Sequence, residues 1–232
     1  MIEIPATKFG LDLEKYIQLG QDRPPGGEPF PEWFRHDGGW YEADGNNTRL
    51  CVWPLDGDSV VFEIGACQGH WAKRMVDLYH CTIYCFEPAM DAFEIAREKL
   101  VGHGGIRMCN FGLGRTNGQC LLGKSNQYGG SVLSREPELT TIEMRDMVGF
   151  LDDNKIENID LASLNIEGGE FDLIPYMIET GTVRVIQHLM IQWHLSMFLH
   201  SSQAQFGIWK ELTKTHTMIW NYGAWETWKR KC

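Results

Sequence analysis

Apolar residues recur along this chain with two alternating periods. Val60–Ile64 runs β-branched and aromatic, the pattern of a strand buried on both faces of a sheet, Thr82–Phe86 is a second apolar run, and Ile106–Cys109 reads as a short third strand. Between them the spacing turns helical. Trp71, Met75 and Leu78 fall at i, i+4 and i+7 within residues 69–80, and Phe93, Ala96 and Leu100 share one face of a helix that Pro88 is expected to open at its first position. Further on, residues 112–122 read as a turn and an extra strand, 124–138 as a polar loop, and 141–154 as a helix carrying Ile142, Val148 and Leu151. Strands follow over 161–166 and 185–191, helices over 171–179 and 203–213, and a closing pair of strands over 217–222 and 224–229 with a tight turn between them. Strand and helix in alternation predict an α/β fold: a mostly parallel seven-stranded sheet, helices on both faces, and an antiparallel hairpin at the end.

The first 57 residues read differently. RPPGGEPFPEWF and HDGGWYEADGNN are too rich in proline and glycine for long regular elements. One short helix is expected near residues 12–19, then irregular chain laid over a domain formed by residues 58–232. Trp33, Phe34, Trp40 and Tyr41 would either line a substrate pocket or glue this arm to the core. A chain of 232 residues suits one large α/β domain with such an appendage.

Candidate chemistry sits between the first two strands. VVFEIGACQGHW places Gly65 and Gly69 in the turn between a strand and a helix, and YCFEP ends the next strand on Glu87. In open α/β sheets ligands bind along that carboxyl edge. A dinucleotide fingerprint needs G-x-G-x-x-G so that a pyrophosphate can rest on the turn; here the spacing is G-x-x-x-G, with an acid, Glu63, just before it. That arrangement repels a phosphate and suits a cation. S-adenosylmethionine (SAM) meets the requirement: its sulfonium and ammonium suit Glu63, its carboxylate the backbone of Gly65, Ala66, Cys67 and Gly69, and its ribose diol Glu87. Pro88, Asn110 and Phe111 follow the second and third strands where the adenine would rest, for backbone contact and, at Phe111, stacking. Ser131, after a glycine pair, would close over the cofactor. The competing reading is an ordinary turn that binds nothing. A side chain introduced at Gly65 is expected to block the ligand while leaving a foldable chain.

Charge narrows the partners. The net charge is −10 and the only basic run is the terminal KRK, which argues against broad attachment to nucleic acid or anionic lipid and favours a small or neutral substrate. Seven cysteines without a C-x-x-C pair read as small buried hydrophobes in a reducing compartment. No stretch of 18 apolar residues and no signal-peptide core are seen, so a cytoplasmic protein without a membrane partner is expected. Oligomeric state is left open.

Taken together, FEIGACQGHW, CFEP, CNFGLGRTNGQ, LNIEGGEFDLI and IQHLMIQWH resemble the FkbM-type methyltransferases, over roughly residues 58 to 195. The resemblance implies a Rossmann-like class I methyltransferase fold and SAM-dependent methylation of a hydroxyl on a sugar, polyketide or other natural product. Glu63 stands where the family commonly has Asp, Ser163 where it has Lys, Asn165 where it has Asp and Gln192 where it has Glu, while Glu167, Gly168, Glu170 and His194 match. Fewer carboxylates at the ends of these strands favour a mechanism without a metal. His194, whose unperturbed pKa is ~6.5, is the candidate general base. Glu167 would orient it or bond the acceptor, and Glu170 is expected to do no more than favour a helix N-terminus. The changes at Ser163, Asn165 and Gln192 also fit a SAM-binding module without catalysis, acting in assembly or regulation. A nicotinamide-dependent oxidoreductase is the third reading.

Overall fold

The computed structural model describes residues 13–19, 34–35, 38–126, 129–131, 139–195, 200–222 and 224–232. Its elements in chain order are α1 (Leu13–Leu19), β1 (Phe34–Arg35), α2 (Gly38–Glu42), β2 (Val60–Ile64), α3 (His70–Tyr79), β3 (Thr82–Phe86), α4 (Met90–Leu100), β4 (Ile106–Cys109), β5 (Gly112–Gly114), β6 (Gly118–Asn126), β7 (Gly129–Ser131), β8 (Leu139–Asp146), α5 (Met147–Asn154), β9 (Ile159–Leu164), α6 (Glu170–Thr180), β10 (Ile186–Gln192), α7 (Ser201–Leu212), β11 (His216–Tyr222) and β12 (Trp225–Arg230).

The main sheet runs β4-β3-β2-β9-β10-β12-β11-β1. From β4 to β10 every pairing is parallel, and β12 is antiparallel to both β10 and β11. These are the seven strands read from the sequence, joined by an eighth, the two-residue β1, which pairs parallel with β11. Successive residues of a strand face opposite sides. Phe62, Phe86 and Leu164 accordingly join the core under α5, α6 and α7, while Val61, Ile83, Cys85 and Leu161 join the one under α3 and α4. Register aligns the carboxyl ends: Ile64 lies opposite Phe86 and Leu164, Phe86 opposite Cys109, and Leu164 opposite Ile191.

Between β4 and β9 the structure departs from the sequence pattern. Residues 141–154 are not one helix. Leu139–Asp146 is a strand, and α5 begins at Met147 because the Asp146 carboxylate accepts the N–H groups of Val148 and Gly149 at 3.3 and 2.9 Å, which caps the helix there. From Thr141 to Arg145 every other residue is exposed, the period of a strand; Ile142 belongs to that period rather than to the helix. A second sheet, β5-β8-β6-β7, takes in most of the stretch expected as turn, single strand and loop. Pro88 lies outside α4: the Glu87 carboxylate accepts the Ala89 N–H at 2.9 Å and holds Ala89 extended, so the helix starts at Met90.

Parts of the N-terminal arm are built into the domain. Tyr16 of α1 is wholly buried, and the Lys210 ammonium of α7 donates to the Leu19 carbonyl at 2.6 Å. The two helices pack so closely that a Cβ on Gly207 would lie 1.9 Å from the Tyr16 carbonyl oxygen. Gly207→Ala should therefore push α1 outward and lower stability by about 2 kcal/mol, read as a lower melting temperature and faster proteolysis near Tyr16; an unchanged melt would refute the close contact. Trp40 meets the rings of Trp220, Tyr222 and Trp225 at 6.2, 5.8 and 6.4 Å, so it glues the arm to the hairpin. Tyr41 points away, 82% exposed. Trp33 and the side chain of Phe34 lie outside the described residues. Among those residues no helix is long and apolar enough to cross a membrane.

Candidate active site

Every residue singled out at the glycine turn lies at the carboxyl edge, but the structure gives the glycines an internal reason. The N–H groups of Gly65 and Ala66 both donate to the Phe86 carbonyl, at 3.0 and 3.1 Å. Gly65 has φ +89°, and a Cβ on it would lie 2.1 Å from the Asn165 carbonyl oxygen. The turn after β2 thus crosses directly over the turn after β9. At Gly69 a Cβ would lie 2.6 Å from Leu100 Cδ1, so that glycine seats α3 against α4. Both are demanded by the protein's own packing, and the expectation that a larger residue at Gly65 would spare the fold is corrected.

Glu87 stitches the edge together. Its carboxylate, 8% exposed, accepts the Cys67 N–H at 2.7 Å through Oε2 and the Ala89 N–H at 2.9 Å through Oε1. Asn110 Nδ2 donates to the carbonyls of Glu87 and Pro88 at 2.9 and 3.4 Å, tying in the turn after β4. Burial raises the Glu87 pKa in spite of the two N–H bonds. Glu63 is more deeply enclosed. It faces the α3 side, is 6% exposed, and burial pushes its pKa up to about 8 against a hydrogen bond with Cys85. Its Oε2 meets no partner among the described residues.

Phe111 does not offer a stacking face. Its ring is packed among Phe86 and Phe150, each at 5.8 Å, with the Arg145 guanidinium 4.0 Å from its centroid. Only its backbone remains for a ligand. Ser131 lies in β7, the strand of the second sheet farthest in order from β5, and pairs with Gly123.

On the other side of Gly65, the turns after β9 and β10 bring three ionisable groups together. Glu170, wholly buried as the first residue of α6, accepts the Gly168 N–H at 2.9 Å and the His194 N–H at 2.7 Å, and its Oε1 lies 3.1 Å from His194 Nδ1. His194 Nε2 is 3.5 Å from Glu167 Oε2. Burial alone would lower the His194 pKa, but the bonds to Glu167 and Glu170 outweigh it and raise the value to about 10. The bond to His194 holds Glu167 below the usual carboxylate range. The two carboxylates thus favour the imidazolium form of His194, against the neutral base expected from its unperturbed value. Glu170 does more than favour a helix end, and only its place in the EGGE run marked it.

One buried group had no signal in the sequence. Glu226 of β12 accepts Trp228 Nε1 at 2.7 Å, Trp209 Nε1 at 3.0 Å and Asn221 Nδ2 at 3.1 Å. Burial pushes its pKa up to about 7 despite these donors.

No protein-family model matches the sequence, and no curated protein matches it. Among solved structures, the Methanococcus jannaschii fibrillarin pre-rRNA processing protein is 11% identical, with 80% of this chain and 76% of that chain covered and a TM-score of 0.51. A fibrillarin/Nop5p complex is 13% identical (76% and 75% covered, TM-score 0.49), and the N-methyltransferase NodS from Bradyrhizobium japonicum WM9 12% identical (83% and 96% covered, TM-score 0.47). At such identities the likeness shows the fold alone. That fold is the Rossmann-like one of class I methyltransferases: a mostly parallel sheet with helices and an antiparallel C-terminal hairpin.

Proposed function

We propose that this chain is a SAM-dependent methyltransferase of the FkbM type that methylates a hydroxyl on a small molecule. The observation that carries the reading is the pair of buried carboxylates on either side of the glycine turn. Glu63 Oε2 is an acceptor without a partner among the described residues, and a buried acceptor of that kind is costly unless a donor meets it; the ammonium of the cofactor is such a donor. Glu87 keeps lone pairs free beyond the two N–H groups it accepts, which suits a ribose diol. The backbone of residues 65–69 would face the methionine portion, and Pro88, Asn110 and the Phe111 backbone the adenine. SAM supplies a methyl carbon activated by a sulfonium: as the bond from the acceptor oxygen to that carbon forms, the carbon–sulfur bond breaks, sulfur keeps the electron pair and the acceptor gives up one proton.

Glu167 and His194 border the same edge, one as hydrogen-bond acceptor and one as donor, and together they suit a hydroxyl. A net charge of −10 favours a small acceptor over a polyanion.

Calorimetry with S-adenosylhomocysteine tests the cofactor. Binding is expected for the native chain, and Glu87→Ala should weaken it roughly ten- to a hundredfold, a charge-assisted hydrogen bond being worth about 1.5–3 kcal/mol. Because the Glu87 carboxylate also ties the turns after β2 and β3, a thermal melt of the variant must accompany the titration. No heat from folded protein would sink the reading, and a melting temperature raised by NAD but not by S-adenosylhomocysteine would favour an oxidoreductase. Tight binding without methylation of any pooled hydroxylated metabolite would favour the module without catalysis.

A further inference from the structure

Glu170 opens α6 and is wholly buried, yet its carboxylate is directed at two other turns. A buried charge is tolerated only where donors fill its lone pairs. Here Gly168 N supplies one at 2.9 Å, His194 N a second at 2.7 Å, and His194 Nδ1 a third at 3.1 Å. The turn after β9 and the turn after β10 are thereby clamped through one carboxylate. With Nδ1 held by Glu170, the other side of the ring, Nε2, is left facing Glu167 Oε2 at 3.5 Å.

Glu167 carries a second, independent sign. It stands at φ +50°, in the left-handed region that residues other than glycine seldom occupy, and it is followed by Gly168 at φ +101°. Backbone strain of this kind persists where the surroundings impose it, and it clusters at functional sites. The Glu167 side chain is 38% exposed, against 15% for His194 and 0% for Glu170. Of the three groups it is the most exposed to an arriving molecule.

We propose that Glu170 is a positioning residue that keeps His194 doubly protonated, that the Nε2–H of His194 in turn aims the Glu167 carboxylate, and that Glu167 rather than His194 receives the acceptor's proton. The inference rests on the methyl-transfer reading and concerns where one proton goes. An imidazolium has no lone pair to accept it; Glu167 has several. A weak base suffices, because the acceptor oxygen becomes strongly acidic as its bond to carbon forms. Among the described residues the titratable groups that face His194 are Glu167 and Glu170, so the arrangement is a carboxylate on each side of one cation.

The test is a ¹⁵N NMR titration of imidazole nitrogens in the full chain, with the His194 signals assigned by their loss in His194→Gln. In the native protein His194 should remain protonated at pH 8, and Glu170→Gln should lower its titration midpoint by at least one pH unit, a tenfold loss of proton affinity, while S-adenosylhomocysteine affinity changes less than threefold. A neutral His194 at pH 7 in the native chain overturns the proposal, and so does a midpoint that Glu170→Gln leaves in place. If Glu170→Gln does not fold, the native titration decides alone: protonated at pH 8 supports, neutral at pH 7 overturns. Absence of S-adenosylhomocysteine binding would sink the cofactor reading while leaving the titration to stand as a result about the triad.

Discussion

Gly65→Ala should destabilise the chain by about 3 kcal/mol before any ligand is present, through two effects that add. The first is conformational. At φ +89° an L-residue is strained, and alanine there costs ~1 kcal/mol. The second is steric: the new methyl would sit 2.1 Å from the Asn165 carbonyl oxygen and 3.0 Å from Ile166 Cγ2. The nearer of these is backbone, so relief requires moving the turn after β2 or the turn after β9, an overpacking cost of about 1–3 kcal/mol. Gly102 provides the control, because it has φ +90° and nothing within 4 Å of where its Cβ would lie. Urea denaturation of both variants separates the effects. Gly102→Ala should show the conformational loss alone, and Gly65→Ala that loss plus the clash. Equal losses would mean that the two turns do not cross as described. Because Asn165 is two residues from Glu167, a displaced turn should also disturb the triad around His194, so a loss of cofactor binding in Gly65→Ala would reflect the internal contact as well as any obstruction of the ligand.

The same crossing shows what the sequence could and could not reveal. Val60–Ile64, Thr82–Phe86 and Ile106–Cys109 were legible to the residue because each is a short, mainly apolar run with a turn residue, Gly65, Pro88 or Asn110, within two positions of its end, although β4, at the sheet edge, has none of its four residues fully buried. Glu87 was legible as an edge carboxylate because strand length and turn spacing fix where an edge falls. The second sheet was not. In β8 every other residue from Thr141 to Arg145 is exposed, and Ile142 with Val148 and Leu151 imitates a helical spacing across the boundary that Asp146 imposes. Nor could the sequence show that Gly65 opposes Asn165, a hundred positions on, or that Glu226 would collect indole N–H groups from Trp209 and Trp228. Those are consequences of register and packing between distant segments. The raised pKa of His194 was hidden for the same reason: an unperturbed value carries no knowledge of the two carboxylates that the turns bring to it.

Stability should fall as pH rises from about 5 to 9, contrary to the pattern of a protein held together by salt-bridged acids. Glu63 has its pKa pushed from 4.5 to about 8 by burial. Glu226 has its own pushed to about 7 by the same cause. For an acid whose folded value is raised, the folded state binds more protons between the two values, so its contribution is fully present below the ordinary pKa and is lost as pH climbs through the raised one. His194, raised from 6.5 to about 10, acts with the same sign at higher pH. Glu167, lowered by its bond to His194, works the other way, its contribution being lost in acid. The expected optimum is therefore weakly acidic. Glu63→Gln keeps the shape of the side chain and cannot ionise, so it should flatten the alkaline decline and leave the variant about 3 kcal/mol more stable than the native chain at pH 9, with little difference at pH 5. Chemical denaturation at a series of pH values measures this. Parallel curves for the two proteins would show that Glu63 does not carry a proton in the folded state. If the cofactor's ammonium meets Glu63 as proposed, saturating S-adenosylhomocysteine should offset part of the alkaline loss in the native chain and none of it in Glu63→Gln, because only the native side chain can ionise against the ligand's charge.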